Sequence, residues 1–504
     1  MFRSVPALVA IGTLLAPFGA IAQEPDISGR GLSLEEAVAF ANRNNPAYLA
    51  AQNDRGVADW SVRQAYGALV PSATVGGSLS WQGTGEESFG SFTSGELGFA
   101  NQPSIYSSGY NVGLSYRLDW GVLRGPARAG AERDRTLADI RSVEVNLRRD
   151  VTLAYLEVLR QDEEVILAEQ ELERARFNLR LASAQRDVGT VTALDVQQAE
   201  VAAGRAEVTL LQAEQARRTG RLRLNQIMGV DLARPVEPVT NFALVPPSWD
   251  EDELYARAIG SNPTLESRRR GLEASNYGVS IARSLYLPSF SLQAGWSGFT
   301  REASSTDLAV SQARAQAQSR QAQCEAQNDL YGRLADPLPP NDCSGFVFTD
   351  SQRDQIIQGN DVFPFDFQRS PPRASLSVTL PLFQGFSRQR QVEEAQALQS
   401  DARHLFREQE LALRADLSIG LGTVRTAYQS ALIEERNQAF ADEQLRLALE
   451  RYRIGSISFI DLVEAETVKA EADRSRLTAI YGYHDAIAML EAVVGSDLRG
   501  LTGP

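Results

Sequence analysis

Cys324 and Cys343 are the only cysteines of the chain, and both lie in one polar stretch. Two thiols so placed form a disulfide in an oxidising compartment. With no third or fourth ligand nearby they do not make a metal site. His404 and His484 are the only histidines; each sits in a helical run without Cys or paired acids at ligand spacing, and each reads as a surface or packing residue. No nucleophile with a base, no phosphate-cradling glycine loop and no pair of catalytic carboxylates is visible. The sequence therefore predicts no enzyme, no cofactor and no bound metal. The acids that do stand out are placed to end and start helices. Thr192-x-x-Asp195 and Ser458-x-x-Asp461 follow Gly189 and Gly455 by a few residues. A glycine closing one helix and a Ser/Thr-x-x-acid box opening the next is the signature of a tight helical hairpin. Asp461 and Glu464, three residues apart, share one helix face. The bland readings stand beside these: a helix cap for Asp195 and Asp461, a solvated face for Glu464.

These residues belong to a duplicated frame. Ala184–Glu200 (AQRDVGTVTALDVQQAE) reappears as Glu450–Glu466 (ERYRIGSISFIDLVEAE) without a gap, and Gly189, Asp195 and Glu200 align with Gly455, Asp461 and Glu466. Asn45-Pro46 and Val70-Pro71-Ser72 match Asn262-Pro263 and Leu287-Pro288-Ser289. Two tandem copies of one unit follow: a first repeat over 23–233 with its hairpin tip near 189–195, a Pro-rich linker over 234–247, and a second repeat over 248–504 with its tip near 455–461. Met1–Ala22, with Arg3, an apolar run and Ala20-Ile21-Ala22, reads as a secretory signal peptide. Ala, Leu, Arg, Glu and Gln dominate long tracts of 3.6-residue periodicity, up to on the order of 90 Å of helix before the first tip.

Between the helices the period falls to two. Alternating segments at about 73–81, 110–120, 289–297 and 373–382 carry apolar residues on one face and Ser, Thr, Gly, Gln or Asn on the other. Four strands of about ten residues with this pattern match transmembrane β-barrel strands, and Trp81, Tyr110, Trp120 and Trp296 suit an interfacial girdle. Four strands cannot close in lipid, where open edges are too costly. A dimer gives eight strands and little lumen; a trimer gives twelve and a channel. The polar stretch 300–372 is expected to be a long loop outside the membrane. After the N-terminal segment no run of about twenty apolar residues occurs, so no transmembrane helix is expected. The net charge of -14 argues against nucleic acid as a partner. A secreted or periplasmic coiled-coil scaffold is the rival, but it has no use for such strands.

The duplicated unit, the two Asn-Pro pairs, the two strand-entry prolines and above all Arg451–Gly455 with Asp461–Ala465 resemble the TolC-like outer membrane efflux protein family, over essentially the whole mature chain except the long loop. The resemblance implies a mainly α fold with a transmembrane β-barrel. It implies a homotrimer of four strands per protomer, making a twelve-stranded barrel, with long periplasmic coiled-coil helices forming an α-barrel. It places the chain in the outer membrane of a Gram-negative bacterium, as a passive duct that docks to a periplasmic adaptor protein and an inner-membrane pump. Drug or small-molecule efflux is the first expectation for its cargo, with type I secretion of polypeptides as the alternative. By resemblance, Asp461 and Glu464 line the periplasmic entrance as acidic rings, and Asp195 contacts Tyr452 to hold that entrance shut. The position two after the turn glycine, a gating arginine in some relatives, is Ile457 here.

Overall fold

The computed structural model describes residues 31–84, 88–89, 92–93, 102–336 and 338–499; the expected signal peptide, 1–22, lies outside them. The chain divides into two compact units.

The first unit comprises the described residues of Met1–Val57, Asp134–Arg269 and Leu405–Pro504. Helix α1 (Leu34–Asn44) starts at a Ser33/Glu36 capping box, and α2 (Pro46–Gly67) follows after the single residue Asn45. A proline at the first helical position needs no amide partner, and the residue before it is pushed to extended backbone, so the chain turns there. Helix α3 (Trp120–Asp187) and α4 (Ala193–Met228) make the first hairpin. The second repeat gives α5 (Glu251–Ser261), α6 (Pro263–Ser284), α9 (Ser387–Arg453) and α10 (Phe459–Val494).

The two repeats build equivalent joints. Asn45 Nδ2 donates to the Ile227 carbonyl at 2.8 Å while its Oδ1 accepts from Tyr48 N at 3.0 Å. Asn262 donates to the Val493 carbonyl at 2.8 Å and accepts from Leu265 N at 2.8 Å. Two glycines in left-handed conformation close α4 and α10: Gly229 (φ 71°) lies against the Asn44 carbonyl and Gly495 (φ 78°) against that of Ser261. Each joint sits over its own apolar core. One gathers Ala37, Tyr48, Val151, Tyr155, Leu224 and Met228; the other Leu254, Leu265, Leu417, Leu421, Tyr483 and Leu490. The expected linker is partly strapped down: Leu32 N donates to Glu237 O and Val239 N to Leu32 O, while Tyr155 Oη donates to Leu32 O and accepts from Val239 N.

The second unit comprises Ala58–Arg133 and Arg270–His404. Its sheet has β1 (Ser72–Gln82), β4 (Ile105–Leu118), β5 (Ser289–Ala303) and β7 (Arg373–Thr379) side by side and antiparallel, with short β6 (Gln368–Arg369) also on β5. Short β2 (Ser88–Phe89) and β3 (Phe92–Thr93) pair with each other. The register keeps like with like. Val75 opposes Val112 and Val112 opposes Trp296; Leu292 opposes both Tyr116 and Leu376. On the other face Ser72 opposes Ser115, Asn111 opposes Ser297, and Ser291 opposes Ser377. Serine pairs bond across it, Ser80–Ser107 and Ser291–Ser377 at 2.6 Å. The sheet thus has one apolar and one polar face, and β1 and β7 are its edges.

Two details differ from the sequence expectation. The second strand ends at Leu118, because Asp119 Oδ1 accepts from Val122 N at 2.8 Å and opens α3 at Trp120. The stretch 300–372 is not a plain loop. β5 runs on to Ala303, and α7 (Asp307–Gly332), a 3-10 turn η1 (Ser344–Phe346) and α8 (Asp350–Asn360) follow. α7 is rich in Ala, Gln and Arg, good helix formers without an apolar stripe, so its periodicity is silent while its propensity is high. A disulfide joins Cys324 on α7 to Cys343.

Candidate functional site

Asp195, Tyr452, Asp461 and Glu464, with the turn glycines Gly189 and Gly455, lie at the two hairpin tips of the first unit. The tips repeat each other's backbone turn bonds and capping boxes. Gly189 (φ 76°) closes α3, with Gly189 N donating to Arg186 O and Thr190 N to Gln185 O, both at 2.9 Å. Gly455 (φ 70°) closes α9, with Gly455 N donating to Tyr452 O at 3.0 Å and Ser456 N to Arg451 O at 2.9 Å. These are the 5→2 and 6→1 bonds that satisfy the last carbonyls of a helix. Asp195 Oδ2 accepts from Thr192 N and Oγ1, each at 2.7 Å; Asp461 Oδ2 accepts from Ser458 N at 2.9 Å and Oγ at 2.8 Å. Both are complete capping boxes. The hydroxyl bond first and the amide bond second hold each carboxyl below the usual range. Both acids are therefore anions at neutral pH.

Asp461 and Glu464 are exposed, one turn apart on the first turns of α10, while Phe459, Leu462 and Ala465 on the opposite face are buried. The helix thus offers the two carboxylates to its outside and keeps its apolar stripe for the hairpin core. That core holds Ala182, Ala199, Leu445 and Tyr452 as well.

Tyr452 is buried, but its hydroxyl donates to Gln185 Oε1 on α3 at 3.0 Å. The polar contact expected with Asp195 is not formed within the chain. The Asp195 oxygen is occupied by its own cap, and the acid acts on Tyr452 through space only: burial, then the Asp195 charge, raises the phenol pKa. Two other polar residues on α3, Asn178 and Glu171, also bond to the second hairpin. Asn178 Nδ2 donates to Glu466 Oε1, and Arg474 donates to Glu171 Oε2, both at 2.6 Å. Glu171, Asn178 and Gln185 are spaced by seven, so they share one face of α3. That heptad spacing was the signal available in the sequence. Burial raises the Glu466 pKa, with the Asn178 bond opposing it less strongly.

Lys469, the only lysine in the chain, also went unread. It is buried on α10, paired with Asp473 on its own helix and with Asp442 Oδ1 of α9 at 3.0 Å; Gln438 bonds both acids. Elsewhere the chain uses Arg; here a compact ammonium serves two carboxylates at once. His484 is a packing residue, buried against the rings of Phe242 and Tyr483 in tilted and edge-on contacts. Among the described residues no cluster of three or more His, Cys, Asp or Glu can hold a metal ion, and no helix is long and apolar enough to cross a membrane.

The chain is similar to two curated relatives from Pseudomonas putida, the toluene efflux pump outer membrane protein TtgF and the probable efflux pump outer membrane protein SepC. Each is 30% identical over 204 residues, covering 40% of this chain and 41% of the relative. The match therefore spans about two fifths of their length. The fold is similar to that of the outer membrane protein VceC of Vibrio cholerae, with a TM-score of 0.67, 15% identity, and coverage of 92% of this chain and 96% of that one. The fold class is thus mainly α, long helices joined to a β domain. The profile of the outer membrane efflux protein family matches residues 39–230 and 360–496, taking in both tips, the first joint and three of the four long strands. The chain belongs to the outer membrane efflux protein family, and its location is accordingly the outer membrane.

Proposed function

We propose that three copies of this chain form a passive exit duct for small molecules. The carrying observation is the sheet, with one face apolar, one face of Ser, Thr, Gly, Asn and Gln, and open edges at β1 and β7. Only closure removes such edges in lipid. In the proposal β1 of one copy pairs with β7 of the next, the apolar faces meet lipid and the polar faces line the pore. Residues 23–233 and 248–504 each contribute two strands and one hairpin, 1–22 directs export, and 300–372 faces the outside. A periplasmic adaptor and an inner-membrane pump deliver the cargo and supply the energy.

Small molecules are favoured over polypeptides because toluene efflux is what the relative TtgF is named for. At the tips, Asp461 and Glu464 repeat around the three-fold axis as two acidic rings that attract cations. Asp195 and Tyr452 remain the entrance pair of this reading, with Gln185 as the group that holds the tyrosine in place.

Single-channel conductance in planar bilayers tests this. Wild type should give cation-preferring steps, and Asp461→Asn/Glu464→Gln should lose most of the preference while keeping the cap geometry. Conductance with unchanged selectivity would reduce both acids to capping and surface roles. Absence of conductance from correctly folded protein would overturn the duct.

A further inference from the structure

The segment between α8 and β6 does not rise from the end of the sheet; it folds back over one face. Asn360 clamps the end of β5, accepting from Ala303 N at 2.9 Å and donating to Ala303 O at 2.7 Å. Glu302 Oε2 then accepts from Val362 N at 3.2 Å and Phe363 N at 2.8 Å. Ser108 Oγ donates to the Pro364 carbonyl, and the rings of Phe363 and Phe367 lie on Tyr106 and Tyr110, with centroids 5.7 and 4.9 Å apart. The strap therefore crosses from β5 to β4 before the chain returns to pair as β6.

The face it covers is the apolar one. Tyr106, Ser108 and Tyr110 alternate along β4 in step with Val112, Leu114 and Tyr116, and their partners on β5 are Glu302, Thr300 and Gly298. A transmembrane strand uses about 9–11 residues at roughly 45° of tilt. Counted from Ser289, such a span ends near Gly298, and there the face turns polar with Ser108, Thr300 and Glu302. Polar groups on a lipid-side surface need partners. The strap supplies them: Ser108 and Thr300 are 5% and 1% exposed beneath it.

Phe365, at the middle of the strap, is 80% exposed. Its ring continues a contact chain, Phe365 to Phe367 at 6.5 Å, Phe367 to Tyr110, and Tyr110 to Trp296 at 5.9 Å, that leads down the same face. Aromatic side chains at the rim of a lipid-facing surface partition to the headgroup boundary. We propose that the 360–367 strap is a lipid-binding collar on the outside of the barrel, with Phe365 inserted into the outer-leaflet interface. This rests on the reading of the apolar face as the lipid face.

The two native cysteines are joined, so Phe365→Cys adds the one free thiol, at a side chain exposed enough to leave the packing intact. It is labelled with an environment-sensitive fluorophore, and the trimer is reconstituted into phosphatidylcholine vesicles. Val75→Cys, on the apolar face of β1, is labelled in parallel. The expected result is loss of Phe365-site emission to a shallow lipid-borne nitroxide and none to aqueous iodide, with the Val75-site label also quenched from the lipid. Quenching at position 365 by iodide alone, or by neither agent, while the Val75-site label responds to lipid, overturns the collar and leaves the duct standing. A Val75-site label that escapes the lipid nitroxide overturns the reading of the face itself.

Discussion

His484 shows how one buried side chain sets a pH limit. It is 4% exposed, between the rings of Phe242 and Tyr483. Burial, helped by the Arg499 charge, lowers its pKa to about 4. The unfolded imidazole titrates near 6.5. Between those values the unfolded chain binds the extra proton, so the stability that His484 contributes is complete above about pH 6.5 and is lost as pH falls toward 4, by about 3 kcal/mol at most. Asp485, raised to about 6 chiefly by burial, works in the opposite direction, since there the folded state holds the proton. The His484 contribution is therefore read as a difference between proteins. Melting followed by near-ultraviolet circular dichroism in detergent should show His484→Phe gaining stability relative to wild type from pH 6.5 to 4, and parallel curves would exclude it. Residue chemistry was legible in the sequence only where it is local. The capping boxes at Asp195 and Asp461 use partners three residues away. The Tyr452–Gln185 contact and the Asp442–Lys469 pair join different helices, and their existence depends on the rotation of each helix about its axis.

The joints and tips of the helices use glycine in two different ways, and substitution separates them. All four glycines have positive φ, so an alanine at any of them is strained on the order of 1 kcal/mol. At Gly189 and Gly455 an added Cβ meets nothing within 4 Å, whereas at Gly229 it would stand 2.4 Å from the Asn44 carbonyl oxygen and at Gly495 2.6 Å from that of Ser261. Backbone cannot give way as a flexible side chain does. Gly229→Ala and Gly495→Ala should therefore lower the melting temperature several-fold more than Gly189→Ala and Gly455→Ala, and equal shifts would mean that the joints relax freely. The Asn-Pro breaks and glycine stops that bound these elements were readable because proline and glycine act on their own backbone. Helices α7 and α8 were not readable in the same way. Their sequences lack an apolar stripe, so periodicity reported a loop where propensity and the Thr349/Gln352 capping box built helix.

At the scale of the whole molecule, the proposed duct takes its number of copies from the sheet. Each chain brings four long strands whose outer members, β1 and β7, have no second neighbour among the described residues. The register leaves no freedom to hide the exposed apolar face, because a slip of one residue would exchange Val75, Leu114 and Leu376 with the serine and threonine face. In the proposed duct the apolar face is covered by lipid or detergent, and the edges by other copies of the same strands. Two copies make eight strands, whose interior is filled by side chains; three make twelve and leave a lumen. The small residues on the polar face, Gly76, Ser78, Gly113, Ser115, Gly295 and Ser297, suit a lumen and could not fill the inside of an eight-stranded barrel. Light scattering of the detergent-extracted protein, corrected for bound detergent, should thus give the mass of three chains. Two chains would sink the twelve-stranded channel, and a single chain stable without detergent would return the protein to the scaffold reading.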